Sequence, residues 1–170
     1  PDGSFTIRSF PMNNHMSTDI TAGPDGAVWF TFPNSVPPYD TGRIGRIAPS
    51  GQATFFTIPW VSDAESITTG PDGNLWFADH VAAALGRLTP TGTFTKFPVP
   101  GPQGTYPWQV TAGTDGALWF TDFNGHRIGR MTTDGAATFF PIPVDDGYPN
   151  AIGAGPDGNV WFTLDDEATI

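Results

Sequence analysis

Asp79 and His80 are adjacent, an acid beside an imidazole, and His126 occupies the corresponding loop one repeat later. Either histidine could act as a general base, since imidazole titrates near neutrality. Asp79, His80 and Asp122 would hold a divalent ion if they converged. Neighbours on an extended chain point to opposite faces, however, which argues against Asp79 and His80 sharing a ligand. His15, in Asn13-Asn14-His15, reads as ordinary loop. No catalytic residue and no metal site is assigned on this basis. The chain has no cysteine, which excludes disulfides, thiolate metal sites and cysteine nucleophiles. It also lacks a Gly-x-Ser-x-Gly elbow, a phosphate-binding loop and His-Glu-x-x-His, so serine hydrolase, nucleotide-binding and zincin chemistry fall away.

What positions these residues is a repeat. ITAGPDGAVWF (20–30) recurs as ITTGPDGNLWF (67–77), VTAGTDGALWF (110–120) and IGAGPDGNVWF (152–162). The tryptophans Trp29, Trp76, Trp119 and Trp161 are 47, 43 and 42 residues apart. After each of the first three copies comes RIGRI (43–47), LGRL (85–88) or RIGRM (127–131), then a turn and an aromatic strand. Each unit reads as four short strands. The first ends in Ala-Gly, where glycine is expected to admit a close backbone. Pro-Asp-Gly reverses the chain, with proline presetting φ and glycine accepting the left-handed position. Four strands in about 43 residues is the blade period of a β-propeller. The expected fold is therefore all-β, with about four four-stranded antiparallel blades in one domain, 1–170. The blade repeats fall at about 17–60, 61–100, 101–143, and 144–170 plus 1–11. Residues 1–11 match a fourth strand and 168–170 the beginning of a third, so the N-terminal strand is positioned to complete the last blade. A partial chain that ends in phase is the alternative. The start at Pro1 fits a processed, trimmed or partial chain.

Composition agrees. There are 21 Gly, 18 Pro and 24 charged residues, and the 14 Phe, 6 Trp and 3 Tyr are too many aromatics for disorder. A net charge of −10 repels phosphate backbones, so neither nucleic acid nor an anionic membrane surface is an expected partner. No apolar run approaches the ~18 residues of a membrane helix. No signal-peptide-like leader is present, and the absence of cysteine permits export without requiring it, so a soluble protein of either compartment is expected.

The sequence at 20–30 and its copies, with Ile-Gly-Arg-Ile and the phenylalanine-rich strand, resembles the virginiamycin B (streptogramin) lyase family over nearly all of the chain. The resemblance implies a seven-bladed propeller that opens cyclic streptogramin B antibiotics at the ester by elimination, with Mg²⁺. It implies working histidines just before the first strands of neighbouring blades, a metal-binding glutamate two positions earlier, and another glutamate after Trp-Phe. Here the histidine position falls on Thr18, Glu65, Trp108 and Asn150. The metal position falls on Met16, Asp63, Tyr106 and Tyr148, and the position after Trp-Phe-x on Phe32, Asp79, Asp122 and Leu164. None of the four is histidine. The family's catalytic set is therefore missing from these blades, and Mg²⁺ is expected only if the family chemistry holds.

Topology groups the candidates. Residues before strand one and after strand two share a face, which gathers Thr18, Glu65, Trp108 and Asn150 with Phe32, Asp79, Asp122 and Asp165. An acid, an indole and an amide at the channel mouth suit a small polar or aromatic ligand. The rim candidates are thus Glu65, Trp108, Asn150, Asp79, His80, Asp122 and His126. The repeated Asp25, Asp72, Asp115 and Asp157 are explained as turn formers, since one carboxylate per turn is too few oxygens for Ca²⁺. Arg46, Arg87 and Arg130 are expected to pair with neighbouring acids, and the in-register tryptophans to fill the inter-blade core. Trp60 and Trp108 lie outside that register. Three functions follow: a lyase-like propeller, a non-catalytic ligand- or protein-binding propeller, or a segment that assembles with missing blades or with itself as an eight-bladed homodimer.

Overall fold

The computed structural model describes residues 17–32, 42–101, 105–143 and 147–165. The segments invoked for closure, 1–11 and 168–170, lie outside the described residues. Among the described residues every regular element is a strand. β1 (Ile20–Ala22), β2 (Val28–Phe32), β3 (Arg43–Ile47) and β4 (Ala53–Thr57) form one antiparallel sheet in sequence order. β5 (Ala64–Thr69), β6 (Leu75–Asp79), β7 (Ala84–Leu88) and β8 (Phe94–Pro98) form the second. β9 (Pro107–Ala112), β10 (Leu118–Asp122), β11 (Arg127–Met131) and β12 (Ala137–Pro141) form the third. β13 (Pro149–Ala154) and β14 (Val160–Leu164) begin a fourth. The first strands of successive sheets lie side by side, β1 against β5, β5 against β9 and β9 against β13, as the inner strands of propeller blades do. Among the described residues no helix is long and apolar enough to cross a membrane.

Inside each blade, strand two meets strand three through an aromatic ring over a glycine. Phe30 is paired with Gly45, Phe77 with Gly86 and Phe120 with Gly129. A Cβ on any of these glycines would overlap the phenyl ring, so the glycine of Ile-Gly-Arg or Leu-Gly-Arg is what lets the ring lie on strand three. The Ala-Gly glycine has a similar cause, which corrects the expectation of a close backbone. The space beside Gly23 and Gly70 is filled by the indoles of Trp29 and Trp76, because the tryptophan folds back over its own hairpin.

The tryptophans carry the remaining packing. Trp29 stacks on Phe56 at 5.4 Å, Trp76 on Phe97 at 5.0 Å and Trp119 on Phe140 at 5.4 Å, each pairing strand two with strand four of its own blade. Trp29 and Trp76 are fully buried, whereas Trp161 is 50% exposed. The expectation that all four indoles are inter-blade core therefore fails for Trp161. Trp60, outside the register, joins the core between the first two blades, stacked on Phe77 at 6.2 Å.

The repeated aspartates do more than turn the chain. Asp25 Oδ1 accepts the Trp29 indole N–H at 3.0 Å, and its Oδ2 accepts Arg46 Nε at 2.6 Å. Asp115 repeats the arrangement with Trp119 and Arg130, at 3.1 and 2.6 Å. Asp72 accepts from Trp76 at 3.0 Å, with Arg87 Nη1 3.7 Å away. Burial raises the Asp25 pKa, but the hydrogen bonds from Trp29, Arg46 and the Ala27 amide outweigh it and hold the carboxyl below its ordinary value.

Gly86→Ala tests the ring-on-glycine contact. Forced repacking in a fully buried position is expected to cost about 3 kcal/mol or more, or to prevent folding. An unfolding midpoint in denaturant equal to the parent's would show that the ring has other room.

Candidate functional site

The site begins at an irregularity in the first strand of the second, third and fourth blades. In the second blade Ala64 pairs with Asp79 and Ser66 with Ala78, leaving Glu65 as the extra residue of a bulge. In the third the register shifts between Phe120 and Asp122, where Trp108 and Gln109 face Thr121 alone. In the fourth it shifts between Pro149 and Ile152, around Asn150 and Ala151. A bulge re-aims the unpaired side chain. Threonine hydroxyls bridge two of these irregularities, Thr121 Oγ1 accepting the Gln109 amide at 3.0 Å and Thr163 Oγ1 that of Ala151 at 3.2 Å, and Thr31 Oγ1 accepts the Asp19 amide at 3.1 Å at the equivalent point of the first blade. The second blade has Ala78 in that place.

Corresponding residues of neighbouring blades meet at this end. Thr18 Oγ1 donates to the Glu65 carbonyl at 2.8 Å, and Trp108 Nε1 donates to Asn150 Oδ1 at 3.0 Å. Asn150 Nδ2 in turn donates to Asp165 Oδ1 at 2.6 Å. Of the rim candidates, Glu65, Trp108 and Asn150 therefore stand at the convergence of the inner strands.

Asp79 and Asp122 serve another purpose. Asp79 is fully buried and accepts from Trp60 Nε1 at 2.9 Å, the Asp63 amide at 3.2 Å and the Ala82 amide at 3.0 Å. Asp122, equally buried, accepts from the Tyr106 amide at 2.7 Å and Arg127 Nε at 2.7 Å. Both tie the loop before strand one to the end of strand two. They are positioning carboxylates whose oxygens are already occupied, and they do not converge with His80 on a common ligand. Asp79 ends the strand and His80 begins the turn after it, so alternation along an extended chain does not govern this pair.

The two loop histidines also part company. Asp79 pairs with Ala84 and Asp122 with Arg127, so the four-residue loops align His80 with Phe123 and Ala83 with His126. Ala83 and His126 share a left-handed backbone, with φ of 46° and 50°. His126 lies against Tyr148 at 4.4 Å, its Nδ1 3.2 Å from the Gly147 carbonyl oxygen. His80 also turns toward the start of its own blade, with Nε2 3.6 Å from Asp63 Oδ2.

One ligand atom each from Asp63, Glu65 and His80 lies within 4.8 Å of the others, a grouping the sequence did not reveal. Glu65 is pushed up to about 7 by burial, with the Asp63 charge adding to the shift. Burial holds the His80 pKa below the usual imidazole value despite the pull of Asp63 and Asp79. Against this polar group stands a band of rings. His80 stacks on Tyr106 at 4.3 Å, and Tyr106 stacks on Trp108 at 5.6 Å. Phe123 follows at 6.3 Å from Tyr106, and Tyr148 at 5.1 Å from Phe123. Tyr106, Trp108, Phe123, Asn124, Asn150 and Asp165 line a cavity of about 400 Å³. The 42-residue interval between Tyr106 and Tyr148 is the sequence signal that points to this band.

This blade architecture carries a sequence relationship. The sequence model of the virginiamycin B lyase family matches residues 4–170. The chain belongs to the virginiamycin B lyase family. A virginiamycin B lyase from Saccharopolyspora erythraea is 49% identical over 84 residues, which are 49% of this chain and 26% of that protein. A solved streptogramin B lyase superposes with a TM-score of 0.86 at 36% identity, covering 95% of this chain and 52% of that one. A catalytically inactive virginiamycin B lyase from Staphylococcus aureus, solved with quinupristin, gives 0.83 at 39% identity over 92% of this chain and 51% of that one. The chain thus spans about half the length of these solved relatives.

The Glu65 carboxyl sets a pH dependence. Its folded pKa near 7 lies above the ordinary 4.5, so its contribution to stability is complete below 4.5 and is lost as pH rises through 7. The groups facing it are Asp63, His80 and Tyr106. In chelator-treated buffer the unfolding midpoint of Glu65→Gln should gain on the parent between about pH 5 and about pH 8. A midpoint difference constant across that range would contradict the assignment.

Proposed function

We propose that these blades belong to a streptogramin-lyase-type propeller and supply an antibiotic-binding rim rather than the ester-opening residues. The observation that carries this reading is the ring band beside Trp108, on the face where the inner strands converge, with no histidine at Thr18, Glu65, Trp108 or Asn150. A cyclic depsipeptide with aromatic side chains offers flat apolar surfaces to Tyr106, Trp108 and Phe123, and its amides offer partners to Asn150 and Asp165. Stacked aromatic pairs contribute about 0.5–1.5 kcal/mol beyond area burial, and interface aromatics of this kind are frequent hot spots.

The family's Mg²⁺ would stabilise charge developing on the ester. The donors near its expected position do not suit it. Mg²⁺ requires oxygen ligands in near-octahedral order, whereas Asp63 faces an imidazole nitrogen. No step through Mg²⁺ is derived for these residues.

The chain is expected to bind quinupristin, read by quenching of tryptophan fluorescence, and to leave the ring intact by mass spectrometry when Mg²⁺ is added. Trp108→Ala should weaken binding by about tenfold or more, which corresponds to ~1.4 kcal/mol. Ring opening by the chain alone, or unchanged affinity in Trp108→Ala, would refute the reading.

A second reading concerns assembly. Trp161 is half exposed and Ile20 is 65% exposed on the first blade. Such surfaces favour further blades or a second copy alongside. A solution mass near 36 kDa for this 18.1 kDa chain would support an eight-bladed homodimer, and a monodisperse folded monomer would exclude it.

A further inference from the structure

We infer that Asp63, Glu65 and His80 form a binding site for one divalent transition-metal ion of the zinc and manganese class, held by two carboxylate oxygens and one imidazole nitrogen. The inference stands on the geometry of the second blade and does not require the antibiotic-binding reading.

Spacing is the first argument. Ligand atoms at about 2.0–2.2 Å from a shared tetrahedral ion are separated by about 3.4 Å. His80 Nε2 and Asp63 Oδ2 are 3.6 Å apart, beyond a hydrogen bond and close to that separation. All three ligand atoms fall within 4.8 Å of one another, so a small inward rotation brings them onto one centre.

Charge is the second. Arg46, Arg87, Arg127 and Arg130 are committed to Asp25, Asp72, Asp122 and Asp115. In the group itself two carboxylates, Asp63 and Glu65, stand beside one imidazole, His80, with Asp63 buried and Glu65 half-buried. A dication completes that balance where a proton otherwise must. His80 Nδ1 is buried without a hydrogen-bond partner among the described residues, so nothing there opposes the tautomer that carries its proton on Nδ1 and leaves the Nε2 lone pair toward Asp63.

Preorganisation is the third. The Asp79 carboxylate accepts both the Asp63 amide and the Ala82 amide, fixing at once the segment that carries Asp63 and the loop that begins at His80. The His80 ring stacks on Tyr106 at 4.3 Å and lies 5.8 Å from Trp108, the three rings packed as a cluster. The Glu65 backbone is fixed by Thr18 from the first blade. Outer contacts of this kind orient metal ligands in established sites. The imidazole selects the ion, since nitrogen donors favour zinc-like metals over Mg²⁺ and Ca²⁺.

The test titrates the chelator-stripped full chain with Zn²⁺, Mn²⁺ and Mg²⁺ by calorimetry, with no antibiotic present. One Zn²⁺ per chain is expected, bound at least about a hundredfold more tightly than Mg²⁺. Both Glu65→Gln and His80→Ala should lose about tenfold or more in Zn²⁺ affinity while keeping the parent circular-dichroism spectrum. If the variants do not fold, Mn²⁺ added to the parent should broaden the His80 imidazole resonances selectively. Absence of saturable Zn²⁺ binding, parent-like affinity in folded variants, or unbroadened His80 resonances would overturn the site. Loss of quinupristin binding alone would bear only on the rim.

Discussion

One carboxylate governs each blade. The aspartate of the Pro-Asp-Gly or Thr-Asp-Gly turn accepts the indole N–H of strand two and, from its other oxygen, faces the arginine of strand three. That fixes the indole flat against the strand-four phenyl, and the phenyl closes the sheet. Removing the acid would leave a buried indole N–H without its acceptor in the first two blades, at a cost of about 1–3 kcal/mol. Charge-assisted bonds of this type are the stronger ones, which suits a chain with so many glycines to order.

The inner face inherits its precision from this outer lock. With strand two fixed, the bulges of β5, β9 and β13 turn Glu65, Trp108 and Asn150 inward at equivalent points. Buried Asp79 and Asp122 then tie each preceding loop to the end of strand two. The same frame thus presents different chemistry in successive blades, acidic in the second and aromatic in the third. The acidic pocket and the ring band share His80 and Tyr106, so occupancy of one bears directly on the shape of the other.

Much of this was legible in the residues. Fourfold recurrence of Gly-x-Asp-Gly and Trp-Phe fixes strand order and the aromatic core, and the Arg–Asp pairing follows from repetition on adjacent strands. Glu65, Trp108 and Asn150 were reachable because topology alone puts them on one face. The acid–imidazole group was not, because it depends on where the loop after β6 turns. His80 leaves the strand and crosses back to Asp63, while its neighbour Asp79 is consumed by backbone amides. Alignment of loops by residue type also misleads. His126 matches Ala83 in backbone conformation, and the true counterpart of His80 is Phe123.

The carboxylate lock draws its indole and guanidinium from a single blade: Asp25 with Trp29 and Arg46, and Asp115 with Trp119 and Arg130. Each clasp is therefore closed inside its own unit, while the joints between units are made elsewhere, by Thr18 on the Glu65 carbonyl, the Ile67 amide on Asp19 and Arg87 on the Thr133 carbonyl. Gain or loss of a whole unit by gene duplication would leave these clasps intact and disturb only the joints.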